Sequence, residues 1–117
     1  LEAMGRFFDF LETRLVESKF ASGCPVATVA LEAADSGDLL HQVCSQAYSF
    51  WIDVIEQSLT RWGIRAEIVK PLATTVLAAI EGAIVLAKAE RSTRPIVEVR
   101  SVLAIMLVGL KAQATMP

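Results

Sequence analysis

The stretch Leu72-Ala73-Thr74-Thr75-Val76-Leu77-Ala78-Ala79-Ile80-Glu81-Gly82-Ala83-Ile84-Val85-Leu86-Ala87 is apolar on nearly every side of a helix. It holds one carboxylate, Glu81, near its middle, and Lys88 follows it at once. A bilayer span needs about 20 apolar residues and tolerates charge at mid-depth poorly. The stretch is therefore expected inside protein, with no membrane partner. Ala78 and Gly82, like Ala79 and Ala83, stand four apart on one helical row, where small side chains let another backbone come close. A helix that is apolar all round must be covered on every side.

Working outward, the same helix is expected over residues 65–91, with Pro71 inside it or in its first turn. Arg91-Ser92-Thr93-Arg94 is a polar linker. Pro95 suits a helix start, and Ile96, Val99, Val102, Leu103, Met106, Leu107 and Leu110 carry the pattern to about residue 111. Upstream, Leu40, Val43, Cys44, Ala47, Trp51, Val54, Ile55, Leu59 and Trp62 mark a helix over 38–62, ended by Gly63. Met4, Phe7, Phe8, Leu11 and Leu15 mark a first helix over 1–18, and Pro25 opens a short one over 26–34. No period-two alternation and no Asn-Gly or Asp-Gly turn speaks for strands. The expectation is an all-α fold of five helices in a single domain, residues 1–117.

Five helices are too few to cover both of the last two. A second copy covers them if Ala79, Gly82, Ala83 and Leu86 meet Val99, Leu103, Met106 and Leu110 in a four-helix seam, which implies a homodimer.

The totals agree with a buried, partner-seeking domain. The chain has 117 residues, 54% of them hydrophobic, and a formal charge of −2. Its mean hydropathy is +0.50 and its pI is near 5.4. A domain that grips DNA unaided shows a basic stripe, and no Lys/Arg cluster occurs here. Two cysteines, Cys24 and Cys44, are too few for a disulfide scaffold. Glu2, Arg6 and Asp9 break the first ten residues, unlike a signal peptide. A cytoplasmic setting is expected, and the missing initiator Met suggests that something upstream has been removed.

Several pieces together resemble one branch of the TetR-family repressors, the group related to LmrA and YxaF. They are Gly23-Cys24-Pro25-Val26-Ala27 with Ala30-Leu31-Glu32-Ala33-Ala34, then Phe50-Trp51, and Val76-Leu77-Ala78-Ala79-Ile80-Glu81-Gly82-Ala83. Leu86-Ala87-Lys88-Ala89 and Arg91-Ser92-Thr93 before Pro95 complete the set, which covers about residues 5–110. The resemblance implies an all-helical C-terminal domain that dimerises and binds a small effector, releasing the repressor from DNA. It also implies an N-terminal helix-turn-helix domain that is absent here, so that DNA is a partner only through that missing part.

In such an architecture a pocket is expected among the first, third and fourth helices. Tyr48 and Trp51 bring an O–H and an N–H to an apolar wall, as small-molecule sites require. Phe8, Leu11, Ile55, Thr74 and Leu77 are the remaining expected lining residues. Enzymatic chemistry is not expected. His41 is the only histidine, and it has neither a metal-ligand set nor a nucleophile in a recognisable context. No cofactor is implied. Cys24 at a helix start and Cys44 on an apolar face read as packing. Glu81, and less sharply Glu32, must be paired or face a wet cavity. The alternative to an effector domain is a ligand-free helical dimerisation module with its aromatics packed.

Overall fold

The computed structural model describes residues 2–21 and 38–114. Among these the chain is all helical: α1 Glu2–Glu17, α2 Asp38–Trp62, α3 Ala66–Glu90 and α4 Arg94–Ala114. The expected five helices are thus corrected to four among the described residues. The short helix expected over 26–34, with Cys24 and Glu32, lies outside them.

Three of the helices end on the same device. At the end of α2, Gly63 N–H donates to the Thr60 carbonyl and Ile64 N–H to the Leu59 carbonyl, both at 3.1 Å. This is the paired closure that needs a left-handed residue just past the helix, and Gly63 supplies it at φ 101°. Leu59 and Ile64 are both buried, as the apolar contact that accompanies this motif requires. At the end of α1, Phe20 N–H reaches the Leu15 carbonyl at 2.7 Å and Lys19 N–H the Val16 carbonyl at 3.0 Å. At the end of α3, Ser92 N–H reaches the Ala87 carbonyl at 3.1 Å. The left-handed residues there are Lys19 at φ 53°, with Phe20 after it at φ 62°, and Arg91 at φ 53°, a region that side-chain-bearing residues enter at a cost.

The turn from α3 into α4 is tightly specified. The Ser92 hydroxyl accepts a hydrogen bond from Arg94 N–H at 3.1 Å. Pro95 sits in the first turn of α4, where its missing N–H leaves no intrahelical acceptor unpaired. Arg94 bridges backward to Glu90 and forward to Glu98, at 3.0 Å (Nε to Oε1) and 2.7 Å (Nη1 to Oε2). Those carboxylates raise the Arg94 pKa above its already high ordinary value. Early in α3, Pro71 is tolerated one turn in, and the Thr75 hydroxyl donates to its carbonyl at 2.9 Å. Glu67 in the first turn has its carboxyl held below the usual range, first by a backbone N–H at the helix start and then by Arg65.

The chain divides into two compact units, Leu1–Gly23 with Ala78–Pro117, and Cys24–Leu77. The second half of α3 therefore belongs with α1 and α4, the first half with α2. In the first unit Phe8, Leu15, Ile80, Ala83, Ile84, Ala87, Ile96, Leu103 and Leu107 are buried. In the second, Cys44, Leu59, Ile64, Val69, Leu72, Ala73 and Val76 are buried. α3 is long and apolar enough to cross a membrane; in this protein its row from Ala73 through Val76, Ile80, Ala83 and Ala87 is buried against other protein.

Relieving the left-handed positions tests this account. Arg91→Gly is expected to stabilise the chain by about 0.5–1 kcal/mol, whereas Gly63→Ala destabilises it by about 1 kcal/mol or more. Urea unfolding measures both, and an Arg91→Gly variant no more stable than the parent would contradict the closure at the end of α3. Glu67 makes a separate prediction about acid. Because its folded pKa is lowered, its contribution is present above the unfolded value and is lost as pH falls through the folded one. Glu67→Gln should flatten the acid side of the stability profile and leave stability below that window unchanged.

Candidate functional site

Two sets of side chains deserve a functional reading, one in each unit. In the second unit the inner row of α2 runs Cys44, Tyr48, Trp51, Ile55 and Leu59 at three- and four-residue steps. Cys44 and Leu59 are buried, and Tyr48, Trp51 and Ile55 are half-buried. Tyr48 and Trp51 meet edge to face, with ring centroids 5.6 Å apart and planes at 83°, the geometry that aromatic quadrupoles favour. Of the lining residues expected on α3, Leu77 is half-buried and Thr74 is exposed. The Thr74 hydroxyl donates to the Lys70 carbonyl at 3.3 Å, and so serves its own helix.

The other two expected lining residues are on α1 in the first unit: Phe8 is fully buried and Leu11 half-buried. Phe8 stacks edge to face with the exposed Phe7 at 6.0 Å. Of the remaining aromatics, Phe20 and Trp62 are half-buried and Phe10 and Phe50 turn outward. Phe50 is 64% exposed, and Phe10 lies open with the Arg14 guanidinium 5.7 Å from its ring centroid. Leu40, Val43 and Val54, read with the apolar row of α2, are also exposed. The sequence pattern merged two neighbouring rows of that helix into one.

His41 is exposed on α2. Among the described residues no group of three His, Cys, Asp or Glu side chains is placed to hold a metal ion. Glu81 is half-buried rather than enclosed, on the same row of α3 as the half-buried Leu77 and Lys88.

The first unit carries the more informative surface. On α3, Ala78, Gly82, Val85, Leu86 and Ala89 form an exposed apolar row. On α4, Val102, Ile105 and Val108 form another, with Ile105 72% exposed. A Cβ added at Gly82 or at Gly109 would meet nothing within 4 Å, so no packing inside the chain calls for a glycine at either position. Of the residues expected at a seam, Gly82 and Leu86 are on the open row. Ala79, Val99, Met106 and Leu110 are half-buried, and Ala83 and Leu103 are buried inside the chain. The periodicity of α4 allowed either phase, because its apolar residues populate both faces. Ile96, Leu103 and Leu107 take the inner one, leaving Val102, Ile105 and Val108 outside.

The described residues are helical, with an aromatic inner row on α2 and an uncovered apolar face on α3 and α4, and sequence comparison gives the class. The model of the C-terminal domain of LmrA/YxaF-like transcriptional regulators, a TetR-type C-terminal domain, matches residues 1–102. The chain belongs to this family. An HTH-type transcriptional regulator of Mycobacterium tuberculosis, itself uncharacterised, is 31% identical over 101 residues, which is 82% of this chain and 52% of that protein. The HTH-type transcriptional regulator LmrA of Bacillus subtilis is 28% identical over 100 residues, 86% of this chain and 53% of LmrA. The chain thus spans about half the length of the curated relatives it matches. No solved structure matches it.

The Tyr48–Trp51 contact is testable as a pair. A double-mutant cycle with Tyr48→Ala and Trp51→Ala should give a coupling of about 0.5–1.5 kcal/mol in unfolding free energy. A coupling near zero would mean that the rings do not pack on each other in solution.

Proposed function

We propose that this chain is the effector-binding and dimerisation domain of a TetR-type transcriptional repressor, acting in the cytoplasm. Membership of the regulator family supports the class. The observation that carries the dimerisation half is the pair of exposed apolar rows on α3 and α4. Exposed apolar residues gathered in rows, rather than scattered singly, mark an interaction surface. A second copy laid across the two rows makes a four-helix seam with twofold symmetry. Gly82 and Gly109 then have a use, letting backbones approach where the single chain leaves space. The seam residues are Gly82, Leu86, Val102, Ile105 and Val108, edged by Ala79, Val99, Met106 and Leu110.

For the effector half, the half-buried Tyr48 and Trp51 with Ile55 and Leu77 offer an apolar wall with two polar handles. They suit a small apolar or aromatic molecule. Such a ligand acts by preferring one conformation of the domain, since equal affinity for two states shifts nothing. In an intact repressor the favoured state moves the DNA-reading domains and frees the operator; DNA is a partner only through that part of the protein. A second reading, a dimerisation module with no ligand, draws support from Tyr48 and Trp51 already packing on each other and from Thr74 being committed to its own helix.

Light scattering decides the seam. The mass should be twice 12.7 kDa and remain so on dilution, and Ile105→Glu should yield a folded monomer. A parent chain that is a well-folded monomer would sink the dimer. Thermal-shift screening with aromatic and aliphatic compounds then separates the two readings. A hit whose shift disappears in Trp51→Ala supports the effector domain, and no hit across a broad set favours the ligand-free module.

A further inference from the structure

The turn that joins α3 to α4 links the two helices that carry uncovered apolar rows, and a single arginine spans it. Glu90 is the last residue of α3 and Arg94 the first of α4, with Arg91, Ser92 and Thr93 between. Arg94 donates from Nε to Glu90 Oε1 at 3.0 Å and from Nη2 to Glu90 Oε2. Its third nitrogen, Nη1, donates to Glu98 Oε2 at 2.7 Å. The contact back across the turn is thus bidentate, the geometry in which a guanidinium is directional as well as charged.

Arg94 also lies on the uncovered row of α4. Arg94, Glu98, Ser101, Ile105 and Val108 follow at four-, three-, four- and three-residue steps, all exposed, and so share one face of the helix. On α3 the exposed Ala78, Gly82, Val85 and Ala89 run by like steps to the residue before Glu90. The fork therefore stands where one row ends and the other begins. α4 lies along α1 more closely than along α3, and Arg100 adds to that contact by donating from Nη1 to Asp9 Oδ1 at 2.6 Å. Toward α3 its placement leans more on the turn.

We propose that Arg94 is a positioning residue for dimerisation: its fork holds the α3–α4 turn in the arrangement in which both rows meet one second copy. This rests on the dimer reading above. A seam built from two helices of each copy needs both rows presented at once. As an exposed ion pair the fork adds little to folding stability. Its effect lies in the fraction of chains whose turn is set for pairing, because apparent affinity scales with that fraction. In a symmetric pair both copies must be so set, and the loss counts twice.

Fluorescence-detected sedimentation of the chain on dilution tests this. Arg94→Gln and Glu90→Gln should each raise the dimer dissociation constant about three- to tenfold. Arg94→Lys, which keeps the charge and gives up the fork, should not restore the parent value. Glu98→Gln, whose contact stays within α4, should leave it within about twofold. In the Ile105→Glu background, urea midpoints of the same variants should stay close to that of Ile105→Glu alone, so that the change is read on pairing and not on folding. Constants unchanged in both Arg94→Gln and Glu90→Gln, or raised equally by Glu98→Gln, would overturn the proposal, as would a matching loss of monomer stability. A monomeric parent chain would remove the dimer reading and this inference with it, a result distinct from a parent dimer that is indifferent to the fork.

Discussion

The burial of one face of α3 is the constraint on which the rest depends. Val69, Leu72, Ala73, Val76, Ile80, Ala83, Ile84 and Ala87 form a nearly continuous buried row along 25 residues of helix. Its members are small or branched, so whatever packs on them comes close. The first part of that row serves the unit built with α2, the second the unit built with α1 and α4. With both cores drawing on this helix, polar groups are left to its margins. Glu81 is half-buried at the edge, Thr74 and Thr75 spend their hydroxyls on their own backbone, and Lys88 is half-buried near the end.

Around this apolar axis, charge is used for alignment more than for cohesion. Glu90, Arg94 and Glu98 fix the turn between α3 and α4, and Arg100 with Asp9 and Glu12 ties α1 to α4. All are partly exposed, where solvent screens them and each pair contributes little stability. Their geometry is nevertheless specific, because a guanidinium forks toward two acceptors in fixed directions.

Much of the fold was legible because helical spacing and punctuation agree. Gly63 announced the end of α2, Pro95 the start of α4, and the apolar pattern the helices between. The four helices of the described residues are those that the spacing marks over 1–18, 38–62, 65–91 and 95–111; the fifth expected helix, over 26–34, lies outside them. The phase of a helix that is apolar on two faces was also hidden. Nothing in the composition of α4 says that Leu103 turns inward and Ile105 outward; only the neighbours decide. The same ambiguity placed Val43 and Val54 with the inner row of α2, although they are exposed. The left-handed residues Lys19 and Arg91 escaped notice because the usual signal for such a position is glycine. Arg100 escaped for a different reason, since its partners lie far away in sequence and pairing of charges at that distance leaves no local mark.

That distance has a consequence in time. The Arg100–Asp9 contact closes a separation of 91 residues, whereas the links that shape the α3–α4 turn join residues two to four apart. By the loop-closure law for flexible chains, the long closure costs about 3 kcal/mol more entropy than the short ones. The α3–α4 hairpin is therefore the kind of element that assembles early from local contacts, and α1 the kind that docks late. In that order α4 is in place before α1 packs against it.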